Sequence, residues 1–255
     1  MIRGLYTAAS GMITKQAEQD NLSNDIANIN TPGYKKSTVS VKSFEKLMVE
    51  NKDKYAGNSS FKNELGKMEF GVGVDEVSTD YSQGLFDETG RNLDFAVNGK
   101  GYFTVIDNSG NMLYTRNGRF SIDDNGYLVT AEGYKVLGVS TSSNKSPVKV
   151  TDPDFKIDSE GNINSANGKV KFCISNFNNE NSLIKEGTSY FKSGEKPQVS
   201  NTQVKQGTIE RSNLDMIDAV TQMISIQRGY ESNQRVIQQI DETLGKTVNE
   251  VGSLK

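Results

Sequence analysis

The sequence predicts an α+β protein: long N- and C-terminal helices paired as a coiled-coil-like α domain, with an all-β domain inserted between them. Three observations lead there. The tail carries six apolar residues at strict seven-residue spacing, Met216, Met223, Tyr230, Ile237, Leu244 and Val251. Residues 2–30 place apolar side chains in steps of three, four and seven, the marks of an amphipathic helix. Between these ends, from about 67 to 205, the apolar period drops to two, that of a pleated strand.

The first helix draws its stripe from Ile2, Leu5, Ala9 and Met12, then from Leu22, Ile26 and Ile29, with a polar break at Lys15, Gln16 and Gln19. Its second half repeats asparagine at 21, 24, 28 and 30, where helix interiors favour Ala, Leu and Glu. Amides are neutral and both donate and accept. They suit a surface that packs against other polar helices without burying charge. Thr31-Pro32-Gly33 ends the helix, because proline cannot extend the ladder and glycine tolerates positive φ. Residues 34–48 read as a less regular extension, and the polar stretch 50–66 reads as a loop-like linker.

Within 67–205 the runs FAVNGKGYFTVID, MLYTRNGRFSID, GYLVTAEGYKVLGV and KVKFCIS read as short strands. Asp107-Asn108-Ser109-Gly110, Arg116-Asn117-Gly118 and Asp123-Asp124-Asn125-Gly126 supply turn chemistry between them. Gly71-Val72-Gly73 and Gly99-Lys100-Gly101 lack the full spacing of a phosphate loop and read as turns or bulges. Asp123, Asp124 and Asn125 have a calcium-like composition without EF-hand spacing, so they too are a turn.

The tail opens on Ser212 and Asn213 as N-cap residues, with Asp215 favouring the first turn. Val220 and Val248 fill the intermediate seam positions at the two ends, and Gln227, Gln234 and Asp241 hold them in the middle. Some forty helical residues span about 60 Å. A seven-residue repeat held that long calls for a coiled-coil partner, first of all the other end of the same chain. Seam amides at Asn24, Asn28, Gln227, Asn233 and Gln234 add polar contact points for further helical neighbours. The expected division is therefore 1–49 plus 206–255 as a terminal helical assembly domain, 50–66 as linker and 67–205 as the β-rich domain.

Composition narrows the function. The chain has 255 residues, a hydrophobic fraction of 34% and a net charge of −3. Low apolar content suits an elongated shape or surfaces that bury only on assembly. No dense basic block points to nucleic acid, no run of about 18 apolar residues points to a membrane helix, and the N-terminus does not read as a cleaved secretory signal. There is no histidine, which removes the commonest general base near neutral pH and the commonest metal ligand. Cys173, the single cysteine, sits in an alternating run and reads as a buried structural thiol. Neither enzyme activity nor a cofactor, metal or small-molecule substrate is expected.

LYTAASGM (5–12) and NLSNDIANINTPGYK (21–35) resemble the N-terminal signature of bacterial flagellar axial proteins, the rod, hook and hook-junction group. LDFAVNGKGYFTV (93–105), YTRNGRFSIDDNGYLVTAEGYKVLG (114–138) and QGTIERSNLDMIDAVTQMISIQRGYESNQRVIQQIDETL (206–244) resemble the rod proteins, most closely the distal-rod type. Pro32 leans toward a Gram-positive member. Gly229 departs from the family pattern, where a larger residue is usual.

The resemblance implies a terminal α-helical domain lining the core of a helical tube, with a β-rich domain outside it. It implies export through the flagellar type III apparatus without a cleaved signal and assembly in the basal body, between motor and hook. The partners implied are copies of the chain itself and other flagellar rod and hook proteins; a proximal-rod or hook-type axial protein is the alternative. Hook proteins carry larger β insertions, which favours the rod. The residues expected at subunit interfaces are Leu5, Met12, Leu22, Asn24, Ile26, Asn28, Met216, Val220, Met223, Gln227, Tyr230, Asn233, Ile237, Leu244 and Val251.

Overall fold

A helix opens the chain and a longer one closes it, with a β-rich stretch between. The computed structural model describes residues 2–56, 59–140, 145–150, 155–157, 162–165, 168–200 and 202–252. It divides into two compact units. Unit 1 comprises Met1–Asn24, Ser37–Ser78 and Ile217–Lys255, and unit 2 comprises Asp25–Lys36 and Thr79–Met216.

Helix α1 runs Ile2–Ala27 and helix α2 runs Met216–Gly252. Both carry good helix formers and no internal proline. Strands β1 (Ser37–Ser43) and β4 (Val72–Thr79) pair with each other, as do β2 (Leu47–Ala56) and β3 (Ser59–Met68). The second pair corrects the reading of 50–66 as a loop. It is an antiparallel hairpin running from Leu47↔Met68 to Ala56↔Ser59, with register shifts near Val49 and Asn51. A ladder of backbone hydrogen bonds does not require an apolar face, so a polar sequence can hold it.

Unit 2 is built on antiparallel ladders. A path of pairings runs from Asn162–Ser165 through Gly168–Phe172, Lys135–Ser140, Tyr102–Ile106 and Met112–Thr115 to Tyr190–Ser193 and Leu183–Glu186. Its core is aromatic. Phe95, Phe103 and Phe120 are buried with Phe172, and the Phe95 and Phe172 rings stand 4.9 Å apart. Cys173 is fully buried in this unit.

The expected turns at 107–110 and 123–126 form: the Gly110 N–H donates to Asp107 O, and the Gly126 N–H to Asp123 O. At 116–118 the glycine serves another purpose. Any side chain on Gly118 would run into the backbone of Phe95, whose N–H donates to Gly118 O at 2.9 Å. Two further short pairs, Val204–Gln206 with Phe95–Val97 and Thr208–Glu210 with Phe86–Glu88, lead toward α2.

Candidate assembly surface and docked junction

In unit 1 the half-buried positions of α2 step by three and four: Met223, Ile226, Tyr230, Asn233, Ile237, Ile240 and Leu244, preceded by buried Ala219. These positions follow the spacing of a heptad. Its intermediate positions are 219, 226, 233 and 240, one residue before the 220, 227, 234 and 241 expected from the sequence. The choice is physical: one step of three from Met223 reaches apolar Ile226, one of four reaches polar Gln227.

Small residues on α1 face this seam. A methyl group on Gly11 would stand 2.8 Å from Asn233 Nδ2, and one on Gly4 would stand 3.5 Å from Ile240 Cδ1. Gly229 of α2 lies against Lys15. As residue numbers rise along α1 they fall along α2, so the helices run antiparallel where they meet. The start of β4 packs on α1 too: the Val72 N–H donates to Ser10 Oγ at 3.3 Å, and the Arg3 guanidinium sits 5.1 Å from the Phe70 ring centroid.

The expected interface residues separate by exposure. Leu22 is buried; Leu5, Met12, Ile26, Met223, Tyr230, Asn233, Ile237 and Leu244 are half-buried. Asn24, Met216, Val220 and Gln227 are exposed, Asn28 is half-buried, and the Val251 side chain lies outside the described residues. An outer apolar face on the first turns of α2 joins Val220, named from the sequence, to Ile217 (77% exposed) and Ile224, which were not. Their spacing of three and four is the signal that could have found it. The helix amides are partly spent within the chain. Asn21 Nδ2 donates to Ser37 O at 2.7 Å, and Asn28 Oδ1 accepts from Thr31 Oγ1 at 3.3 Å.

Unit 2 contains a second feature that sequence reading did not anticipate. After α1 the segment 33–36 is docked, not free. Gly33 holds φ at +69°, and its N–H donates to Glu210 O at 2.7 Å. The Tyr34 hydroxyl donates to Asp25 Oδ1 at 2.8 Å. Burial first, and Asp25 second, push that phenol well above the usual tyrosine range. Lys35 is fully buried. Its ammonium donates to Glu210 Oε1 at 2.5 Å and to Ser82 O at 2.6 Å.

Arg116 Nη1 donates to the other carboxylate oxygen of Glu210 at 3.2 Å. Burial lowers the Lys35 pKa, while Glu210 works to hold the proton. The Lys36 N–H donates to Asn213 Oδ1, so Asn213, expected as an N-cap residue, instead bridges Lys36 to Asp80 O. Among the described residues, no group of three or more Cys, Asp and Glu side chains gathers so as to hold a metal ion.

These features fall on the segments that match known families. Residues 5–35 match "Flagella basal body rod protein", 96–164 match "Flagellar hook protein FlgE/F/G D1 domain", and 205–250 match "Flagellar basal body rod FlgEFG protein C-terminal". The chain is 34% identical to the flagellar basal-body rod protein FlgG of Bacillus subtilis, over 98% of this chain and 99% of that protein. The chain belongs to the flagellar basal-body rod protein family.

Another rod protein FlgG, from Borreliella burgdorferi, is 32% identical over 96% of this chain and 97% of its own length. The Bacillus subtilis flagellar hook-basal body complex protein FlhO is 29% identical over the full length of both. The rod-family match at the N-terminus runs from residue 5 to Lys35, so it takes in most of α1 and most of the docked segment together. No helix among the described residues is long and apolar enough to cross a membrane.

Proposed function

We propose that this chain is a structural subunit of the flagellar basal-body rod, polymerising helically through its terminal helices into the shaft between motor and hook. The observation that carries the reading is the near-full-length likeness to two rod proteins, joined to the exposed apolar side chains of Ile217, Val220 and Ile224 on α2. In this reading residues 1–49 and 206–255 form the assembly part, and α1 and α2 pair as a coiled coil through the seam at Gly11 and Asn233. Met216, Val220, Gln227 and Asn24 meet neighbouring copies or other rod and hook proteins. Leu5, Met12, Leu22, Ile26, Asn28, Met223, Tyr230, Asn233, Ile237, Leu244 and Val251 shape the paired helices behind that contact.

The distal part of the rod is the position favoured, with export by the flagellar type III apparatus and residence in the basal body. Pro32 and the Bacillus subtilis likeness suit a Gram-positive member. The likeness to a hook-basal body complex protein keeps one second reading, a proximal-rod or hook-type axial subunit.

Substituting Ile217→Asp tests the assignment, because a 77% exposed side chain is dispensable to the monomer's own packing. Cells carrying it should build basal bodies that stop before the hook, with the protein soluble and its β unit melting normally. Complete hooks would overturn the reading.

A further inference from the structure

Lys35, Arg116 and Glu210 are an odd set to bury together. Their side chains are 0%, 3% and 0% exposed, and one carboxylate faces two cations. Apolar residues of similar volume are often as stable or more so in such a place. Stability alone does not account for the trio, but its position in the chain does. Lys35 lies in the segment that follows α1, and Glu210 in the last short strand before α2.

We propose that Lys35, Arg116 and Glu210 are positioning residues for assembly, a clasp that holds the last turn of α1 and the residues leading up to Met216 in one fixed frame within unit 2. The inference rests on the rod reading above. Every residue of the segment 33–36 is tied. Gly33 donates to Glu210 O, and Tyr34 reaches back to Asp25 in the last turn of α1. Lys35 O accepts from Lys185 Nζ at 3.3 Å, and Lys36 is held by Asn213 and, 3.7 Å away, by Asp80. Asn213 lies three residues before Met216, where α2 begins.

Charge gives this frame its register. Charge-assisted hydrogen bonds are directional, and a slip of one residue along 33–36 would part the Lys35 ammonium from Glu210 and Ser82 O, and Tyr34 from Asp25. That penalty excludes the slipped states. Apolar side chains at the same places would tolerate them. Gly33 closes the remaining freedom, since a side chain there would be driven into the backbone of Arg116 and Asn117.

The test is Lys35→Met in the full chain. Glu210 keeps Arg116 and the Gly84 N–H as partners, so the β core is retained. Amide exchange at Gly33 and Lys36 should rise roughly tenfold or more, as expected for losing a buried hydrogen bond to a charged group. Exchange at Thr104 and Leu128, bonded within the β core, should not change, and cells should stall before the hook. Asn213→Ala loosens the same frame without disturbing a buried charge and should act in the same direction if Lys35→Met proves too damaging to fold.

Protected Gly33 and Lys36 amides in both variants, or opened amides in cells with complete hooks, would overturn the clasp. Ile217→Asp separates the two ideas. If it stalls assembly while clasp variants build hooks, the clasp alone fails; if it builds hooks, the rod reading fails.

Discussion

Gly33 shows how much one residue can settle. Sequence reading assigned it to stopping a helix, and it does lie in the turn after α1, at φ +69°. The demand on it comes equally from residues far along the chain, since the backbone of Arg116 and Asn117 occupies the space a side chain would need. Gly33→Ala should therefore cost more than the 1–3 kcal/mol typical of a strained backbone position, read as a drop in denaturation midpoint of unit 2.

Tyrosines make a second prediction at this scale. Burial raises the pKa of Tyr34, Tyr81, Tyr102, Tyr114 and Tyr190. A raised phenol contributes stability that is complete below its unfolded pKa of about 10 and is lost as pH climbs beyond it. Lys35 and Lys185, with lowered pKa values, act the other way, gaining stability with pH up to about 10.4. Five groups against two give stability that declines above about pH 10. Tyrosinate absorbance should rise in two stages, the second coinciding with unfolding. A single stage in the folded protein would contradict the burial of these rings.

At the scale of elements, periodicity carried most of the information. Both terminal helices and the strands of the β core between 95 and 176 announce themselves by steps of three and four or of two, whereas Leu183–Glu186 and Tyr190–Ser193 do not. The hairpin of β2 and β3 does not, because neither strand alternates apolar and polar residues.

The pattern of α2 is half legible: the seven-residue repeat is clear, but that the intermediate half-buried position falls three residues on, at Ile226, Asn233 and Ile240, shows only in the burial of the folded chain. Gly229 lies on this helix facing Lys15, and a methyl group there would sit 3.4 Å from Lys15 Cε, an ordinary contact. Glycine inside a helix costs about 1 kcal/mol relative to alanine. Gly229→Ala should raise the melting point of the helical circular dichroism signal. A lower melting point would mean that the two helices approach each other more closely at this point.

For the whole molecule, the order of parts could be read from the sequence, but the membership of residues 25–36 in the β-rich unit could not. Nothing local in Thr31-Pro32-Gly33-Tyr34-Lys35 names Glu210 or Arg116 as neighbours; only long-range folding brings them together. The same distinction between inner and outer faces sharpens the decisive experiment on α2. Ile237 is half-buried in the seam, whereas Ile217 is exposed on the outer face. An aspartate in the seam must either lose its charge or force the helices apart, at a cost of several kcal/mol. Ile237→Asp should lower the helical circular dichroism of the purified chain and abolish polymerisation. Ile217→Asp should leave that signal intact and still abolish polymerisation. Both substitutions should leave the melting of the aromatic β core unchanged, since Phe95, Phe103, Phe120 and Phe172 pack in a cluster of unit 2 residues. Equal loss of helix in both variants would mean that the face carrying Ile217 packs within the chain, and the assembly surface would have to be sought on α1.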